Sequence, residues 1–145
     1  MEHSPILAPV VALVAWSLVM MLWMAATRLP AMHRKGINLG TLVGGRGQDL
    51  EGVIDDRIQW KSHNYSHLME QPTIFYAIAL TLALMGQGDG LNLTLAWIYV
   101  GLRVAHSLVQ AIFNRVLIRF LLFLLSSLAL VGLTIHAAAG LILAA

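Results

Sequence analysis

Residues 98–109, IYVGLRVAHSLV, lie inside a long apolar stretch and place Arg103 and His106 one helical turn apart. On a soluble helix such a pair would be ordinary. This chain of 145 residues, however, is 59% hydrophobic and only 11% charged, and its mean hydropathy is +0.77. Soluble domains contain about 45–50% apolar residues. The composition therefore predicts a membrane protein with a single domain, residues 1–145.

Four segments are apolar and long enough to cross a bilayer, since a spanning helix needs about 20 such residues. They are residues 6–27, 68–85, 92–113 and 116–143. A backbone in lipid must satisfy its own hydrogen bonds, so each segment is predicted to be a helix. Pro72, near the start of the second segment, can kink it. The sequence predicts an all-α bundle of four transmembrane helices.

Basic side chains orient the predicted bundle, because cytoplasmic loops are rich in Lys and Arg. Residues 28–65 and the third connection hold eight of them: Arg28, Arg34, Lys35, Arg46, Arg57, Lys61, Arg115 and Arg119. The loop of residues 28–65 is predicted to be cytoplasmic, with both termini on the other side. Its glycine-rich part, residues 40–52, lacks the Lys-Ser/Thr ending of a phosphate-binding loop and indicates a flexible connector.

Arg103 lies well inside the third predicted span, where a charge is costly unless it faces a bundle interior and has a partner. At about 100° per residue, several polar side chains fall within roughly 40° of it. They are Tyr99, His106, Ser107, Gln110 and Asn114. A polar stripe is therefore predicted from mid-membrane to the cytoplasmic edge.

The second span carries a similar stripe on the face of Glu70. Five polar side chains lie within about 60° of it: His63, Ser66, His67, Thr73 and Thr81. Glu70 and Arg103 are predicted to pair, directly or through a ligand, which would offset the cost of burying each. Such a pair can simply fix the register of two helices. Continuation of the stripe to the cytoplasmic edge instead favours a pocket for an anionic, hydrogen-bonding ligand.

The chain contains no cysteine, which excludes disulfides, a cysteine nucleophile and a thiolate metal cluster. No metal site is predicted. Haem is not expected either, because His106 and His136 differ in predicted depth by roughly 10 Å. No two histidines on different helices are expected to share a depth, as ligation of haem by two histidines would require.

Two stretches resemble a known family: NYSHLMEQPTIFYAIAL, residues 64–80, and RVAHSLVQAIFNRVLIRF, residues 103–120. On four predicted helices, they resemble the MAPEG family, membrane-associated proteins in eicosanoid and glutathione metabolism. Members include microsomal glutathione transferase, leukotriene C synthase and microsomal prostaglandin E synthase. The likeness is strongest to the bacterial branch, which implies a bacterial inner membrane rather than the endoplasmic reticulum. It also implies a homotrimer, with glutathione bound between subunits near the cytoplasmic side.

The resemblance implies that Arg119 stabilises the glutathione thiolate. With the polar stripes, it indicates a glutathione site formed by Arg28, Asn64, His67, Glu70, Arg103, His106, Gln110 and Asn114. The chain departs from the family pattern at three positions. His67 replaces an asparagine, Gln110 replaces the pocket tyrosine of the eicosanoid enzymes, and Phe120 replaces the serine of the prostaglandin enzyme. These departures weigh against an eicosanoid reaction.

Three functions stay open at this point. The first is a glutathione-dependent transferase or peroxidase acting on lipophilic electrophiles that enter from the lipid. The second is a non-enzymatic lipid-binding or scaffolding protein of the same fold. The third is a small transporter or channel that uses Glu70, Arg103 and His106. Glutathione is the expected co-substrate, and nucleic acid is not an expected partner.

Overall fold

The computed structural model describes residues 3–144, and the regular structure over this range is helical throughout. It consists of α1 (Leu7–Arg34), a short 3-10 helix (Gly47–Leu50), α2 (Asp56–Leu68), α3 (Gln71–Leu84), α4 (Gly90–Ile112) and α5 (Val116–Ala144). The predicted all-α class is confirmed.

Three of these helices are long and apolar enough to cross a membrane: Leu7–Arg34, Gly90–Ile112 and Val116–Leu143. They correspond to the first, third and fourth predicted spans. Large apolar side chains point outward from them; Leu22 is 64% exposed and Leu128 is 60% exposed. Such surfaces suit contact with lipid rather than water. The chain is therefore an integral membrane protein.

The second predicted span is not one helix. α2 ends at Leu68 and α3 begins at Gln71, with Glu70 between them at φ −89° and ψ −97°. Pro72 lies in the first turn of α3, where its missing N–H leaves no hydrogen bond unmade. The 14 residues of α3 cover about 21 Å, less than the hydrocarbon thickness of about 30 Å. The helix begins three residues later than the predicted span of residues 68–85, and the bend allowed near Pro72 is a break at Glu70.

The predicted loop of residues 28–65 is also partly helical. α1 continues past residue 27 to Arg34, and α2 begins at Asp56. Asp55 caps α2, because its carboxylate accepts a hydrogen bond from the backbone N–H of Arg57 at 2.8 Å, as residues at this position commonly do. The irregular part of the connection is thus about half the predicted length.

The half of the bundle far from this loop has an apolar core. The rings of Phe75 and Tyr99 stack with centroids 4.4 Å apart. Around them lie fully buried side chains of α1, α3, α4 and α5: Leu13, Ala79, Leu82, Ala96 and Leu133. The small alanines let the helix backbones approach closely, which is how helices gain contact in lipid.

α2 and α4 are joined by a buried hydrogen bond. Asn64 Nδ2 donates to Ser107 Oγ at 2.7 Å, and both residues are 0% exposed. Because the contact is closed to solvent, neither group can exchange its partner for water while the bundle is intact.

A double-mutant cycle of Asn64→Ala and Ser107→Ala is expected to give a coupling free energy of about 0.6 to about 1.7 kcal/mol, from the average to the largest value measured for hydrogen bonds between membrane helices. Unfolding in detergent supplies the free energies. Asn64→Ala combined with Ser126→Ala is the control, because buried Ser126 bonds only the carbonyl of Phe123 in its own helix and should be additive. Additive losses in the first cycle as well would show that the contact does not form.

Candidate functional site

Five polar side chains of α4 face the interior of the bundle. Tyr99, Arg103 and Ser107 are 0% exposed, and His106 and Gln110 are 3% exposed. We call these five residues the α4 polar face. Five of the six residues of the predicted stripe face the bundle interior, whereas the sixth, Asn114, lies beyond the end of α4. The residues opposite the five come from α2, α3 and α5.

Arg103 is the most deeply buried charge of this face. Its Nη2 donates to the carbonyl oxygen of His67 at 3.1 Å, and its guanidinium carbon lies 5.9 Å from the ring centroid of Phe123. His67 is in the last turn of α2, where carbonyl oxygens lack helical partners. The break between α2 and α3 therefore supplies the one acceptor that Arg103 has within residues 3–144.

The remaining nitrogens of that guanidinium are unpaired. Arg103 Nε and Nη1 are buried and have no hydrogen-bond partner among residues 3–144. An unmade hydrogen bond on a buried charged group is costly. An acceptor group, above all a carboxylate that could bind two N–H groups at once, would remove this cost.

Glu70 lies at the break rather than inside the bundle. Its Oε2 contacts His67 Nδ1 at 2.8 Å, and its side chain is 67% exposed. A direct Glu70–Arg103 pair is therefore not formed between these two described residues, and that form of the prediction is wrong. The break between α2 and α3 explains the difference, because it moves Glu70 away from the face that it would occupy on a continuous helix. Pairing through a ligand stays a prediction.

A pocket of about 240 Å³ opens beside the α4 polar face. It is lined by His67, His106, Val116, Arg119, Phe120 and Phe123. The rings of His67 and His106 have centroids 5.0 Å apart, so histidines of α2 and α4 share a depth, contrary to the sequence-based expectation. Over residues 3–144, no group of three His, Cys, Asp or Glu side chains is placed to hold a metal ion.

Arg119 is held at this pocket by the turn between α4 and α5. Its Nη1 donates to Asn114 Oδ1, and its Nε is buried without a partner in the part of the chain described. Asn114 has a left-handed backbone, φ 51°, a conformation that asparagine tolerates better than most residues. The turn thus fixes one edge of the guanidinium and leaves another edge free.

Sequence reasoning missed the apolar wall of this pocket. Val116, Arg119, Phe120 and Phe123 are spaced i, i+3, i+4 and i+7, so they share one face of α5. The spacing was visible in the sequence. It was obscured because the neighbouring positions are also apolar, so α5 shows little contrast between its faces.

Unpaired acceptors accompany the unpaired donors. Gln59 Oε1, Asn64 Oδ1 and Gln110 Oε1 are buried and have no hydrogen-bond partner within the described range. Buried polar groups in proteins are nearly always paired with protein, water or ligand. Water or a polar ligand between α2 and α4 would satisfy these acceptors.

Arg28 and Lys61 lie at the loop end of the bundle, where Lys61 Nζ donates to the carbonyl of Ala111 in α4 at 3.5 Å. Arg28 donates from Nη2 to the carbonyl of Gly47 at 2.7 Å and from Nη1 to Ser62 Oγ at 2.9 Å. Lys61 Nζ lies 5.4 Å from the ring centroid of Trp23, and partial burial lowers the pKa of Lys61 below its usual value. Arg28 thus ties α1 and α2 to the loop, and Lys61 ties α2 to α1 and α4. The structure does not bring predicted Arg28 to the other site residues.

Comparison with protein families matches residues 6–139 to the MAPEG family. The match includes both stretches that carry the resemblance, the polar residues of α4 and the pocket residues of α5. Comparisons with curated proteins and with solved structures found no match. Because the family match covers nearly the whole chain, the chain belongs to the MAPEG family.

Proposed function

We propose that the chain is a glutathione-dependent membrane transferase or peroxidase that acts on lipophilic electrophiles. The observation that carries this proposal is the buried guanidinium of Arg103, in which the nitrogens Nε and Nη1 have no partner among residues 3–144. It lies behind a pocket lined by a second arginine, Arg119, and by aromatic rings. Family membership supports a glutathione-related function.

The residues present fit the chemistry of glutathione, which carries two carboxylates, an amine and a thiol. Arginines bind carboxylates strongly, and an exposed carboxylate such as Glu70 suits the amine. Arg103 would add positive charge from behind His67 and His106. Asn64, Gln110 and Asn114 supply amide groups along the same side, and Arg28 would bind a carboxylate only if it released its loop contacts.

Arg119 is the proposed catalytic residue. Glutathione supplies a thiol whose pKa is about 8.5 when free, and the thiolate is the reactive form. A fixed cation near the sulfur stabilises that thiolate without itself taking a proton. Arg119 suits this role because its guanidinium lines the pocket and keeps a free edge.

The electrophile is proposed to enter from the lipid side of the pocket. Phe120 is 58% exposed on the surface of α5, and Phe123 continues the apolar wall towards His67, with ring centroids 5.6 Å apart. Such a wall admits an apolar molecule while the arginine stays at the polar end. The substrate class proposed is therefore hydrophobic and electrophilic.

The apolar core favours this proposal over a transporter or channel. The polar contacts of the α4 polar face end at Tyr99, whose hydroxyl donates to Gln71 Oε1. Gln71 Nε2 in turn donates to Ser127 Oγ. Beyond it lie fully buried apolar side chains: Phe75, Ala79, Leu82, Ala96 and Leu133. A layer of this kind resists the passage of ions.

We further propose that the chain forms one four-helix domain that crosses the membrane four times. In this arrangement α3 and the end of α2 make the second crossing, and both termini lie opposite the loop. Glu70 and Thr73 are exposed on a single chain. Polar groups facing lipid are costly, so neighbouring subunits of a homotrimer are proposed to cover them.

Native mass spectrometry in mild detergent is expected to show three chains per particle. The same spectrum should show added mass when glutathione is supplied, because the proposed site lies between subunits. A particle that remains monomeric while it turns over substrate would contradict the shared site.

Turnover by purified protein in lipid nanodiscs tests the proposed function. We expect glutathione conjugation with a chloronitrobenzene, or reduction of a lipid hydroperoxide, to depend on protein and glutathione together. His136→Gln is the control variant, since His136 lies at the far end of the bundle against Asn92 and should remain active. Absence of both reactions, with glutathione binding intact, would favour the non-enzymatic alternative.

A further inference from the structure

The connection that leaves α1 carries a surface that the proposed function does not use. Residues 36–45, GINLGTLVGG, contain no charged side chain, whereas Arg34, Lys35 and Arg46 flank them. Within the segment, large apolar side chains are exposed: Val43 is 96% exposed, Leu39 56% and Leu42 53%. An apolar stretch between cations is the composition of a segment that lies in a membrane interface.

The end of α1 directs this segment back towards the membrane. Gly36 has φ +71°, and two hydrogen bonds close the turn: Gly36 N–H to the carbonyl of His33, and Ile37 N–H to that of Met32. This pair of bonds reverses the chain at a helix end, and the left-handed glycine makes it possible. The chain therefore does not continue along the axis of α1 into solvent.

The reversed chain returns to the level of the membrane edge. Leu39 lines the same cleft of about 440 Å³ as Leu29 and Met32. Leu29 follows Arg28, the first charge after the apolar run of α1. Leu39 therefore lies beside the end of α1, and Leu42 and Val43 follow it by three and four residues.

The segment is anchored at both ends and free in the middle. Its start is fixed by the Gly36 turn, and Arg28 holds Gly47 just beyond its end at 2.7 Å. Between them, Thr41 and Leu42 donate backbone hydrogen bonds to the carbonyl of Asn38, so part of the backbone is satisfied locally. Leu42 and Val43 are thus available to a partner outside the chain.

We propose that residues 36–45 form an interfacial anchor that inserts Leu39, Leu42 and Val43 into the surface of the bilayer at the end of α1. Arg34, Lys35 and Arg46 contact anionic lipid headgroups, to which their charge is complementary. The anchor holds the loop against the membrane beside the Arg28 contacts.

Because the chain has no cysteine, single-cysteine variants carrying a nitroxide label report one position each. Val43→Cys is the test position, Gln48→Cys the matched position in the charged part of the loop, and Leu22→Cys the reference in lipid. The labels are compared in vesicles for accessibility to oxygen, which concentrates in lipid, and to a water-soluble nickel chelate. Leu39→Cys repeats the test independently.

We expect the label at residue 43 to favour oxygen over nickel, between the values at residues 22 and 48. Addition of phosphatidylglycerol to phosphatidylcholine vesicles should strengthen this preference. Arg34→Gln and Lys35→Gln, each introduced into the Val43→Cys protein, should weaken the preference for oxygen in these vesicles. The expected loss is about fivefold in the partitioning of the segment into the bilayer for each cation removed. Nickel access at residue 43 equal to that at residue 48 would place the segment in water and overturn the proposal. Low access to both reagents would also overturn it, in favour of contact with a second copy of the chain.

Discussion

Arg119→Ala is expected to slow glutathione conjugation by about 10²- to 10³-fold at neutral pH, the usual loss when a fixed donor to a developing negative charge is removed. The affinity for glutathione should change much less, because the carboxylates of glutathione have other cationic partners. Single-turnover rates and calorimetric binding measured on the same preparation separate the two effects.

Arg119→Lys supplies the matched comparison. A lysine keeps the charge but loses the planar fork that bonds Asn114, so part of the rate should remain. If Arg119→Ala conjugates at the rate of the unchanged protein, Arg119 is an arginine that only anchors α5 at the interface. Thiol activation would then have to come from His106, since Arg28 is bonded to Ser62 and Gly47 away from the pocket.

Arg103→Gln is expected to raise the dissociation constant for glutathione by about tenfold to about a hundredfold, since hydrogen bonds to charged groups contribute about 1.5–3 kcal/mol. The variant also loses the bond to the His67 carbonyl, so thermal unfolding in detergent must be measured alongside binding. Arg103→Lys, which keeps the charge, should lose less affinity than Arg103→Gln at a similar loss of stability. Equal affinities in all three proteins would contradict a role for Arg103 in binding.

Combining Arg103→Gln with Glu70→Gln tests pairing through the ligand. Without glutathione the two losses of unfolding free energy should couple only through His67, which both side chains contact, because substitutions that share a partner need not be additive. For glutathione binding the losses should couple more strongly, because both groups are proposed to hold the same molecule. Coupling of stability without glutathione that persists when His67 is replaced by alanine would restore the direct pair.

The sequence predicted the parts of the fold that follow from hydropathy and helical period. The ends of α4 and α5 lie close to the predicted 92–113 and 116–143, and the inward face of α4 was predicted residue by residue. The inward orientation of Arg103 could be predicted from the sequence, because a charge inside an apolar span is tolerated only where it faces the bundle interior. The periodic pattern of a single helix does not depend on residues distant in sequence, and it was sufficient to predict which face of α4 is buried.

The junction of α2 and α3 was not predictable in the same way. Pro72 marks a position where a helix can bend, but the surroundings of the bend include contacts of His67 with α4 and α5. Those contacts, His67 with His106 and with Phe123, come from residues distant in sequence. For that reason the sequence wrongly predicted a direct contact between Glu70 and Arg103. It also predicted different depths for His67 and His106, which are neighbours in the structure.

Binding of glutathione and activation of its thiol are the two properties on which the proposed function depends. Titration of the ultraviolet absorbance of the thiolate, for the complex and for free glutathione, measures this directly. We predict a pKa for the bound thiol clearly below the free value of about 8.5, with most of the shift absent in Arg119→Ala. A bound thiol that titrates like free glutathione, or protein that binds no glutathione, would contradict the account.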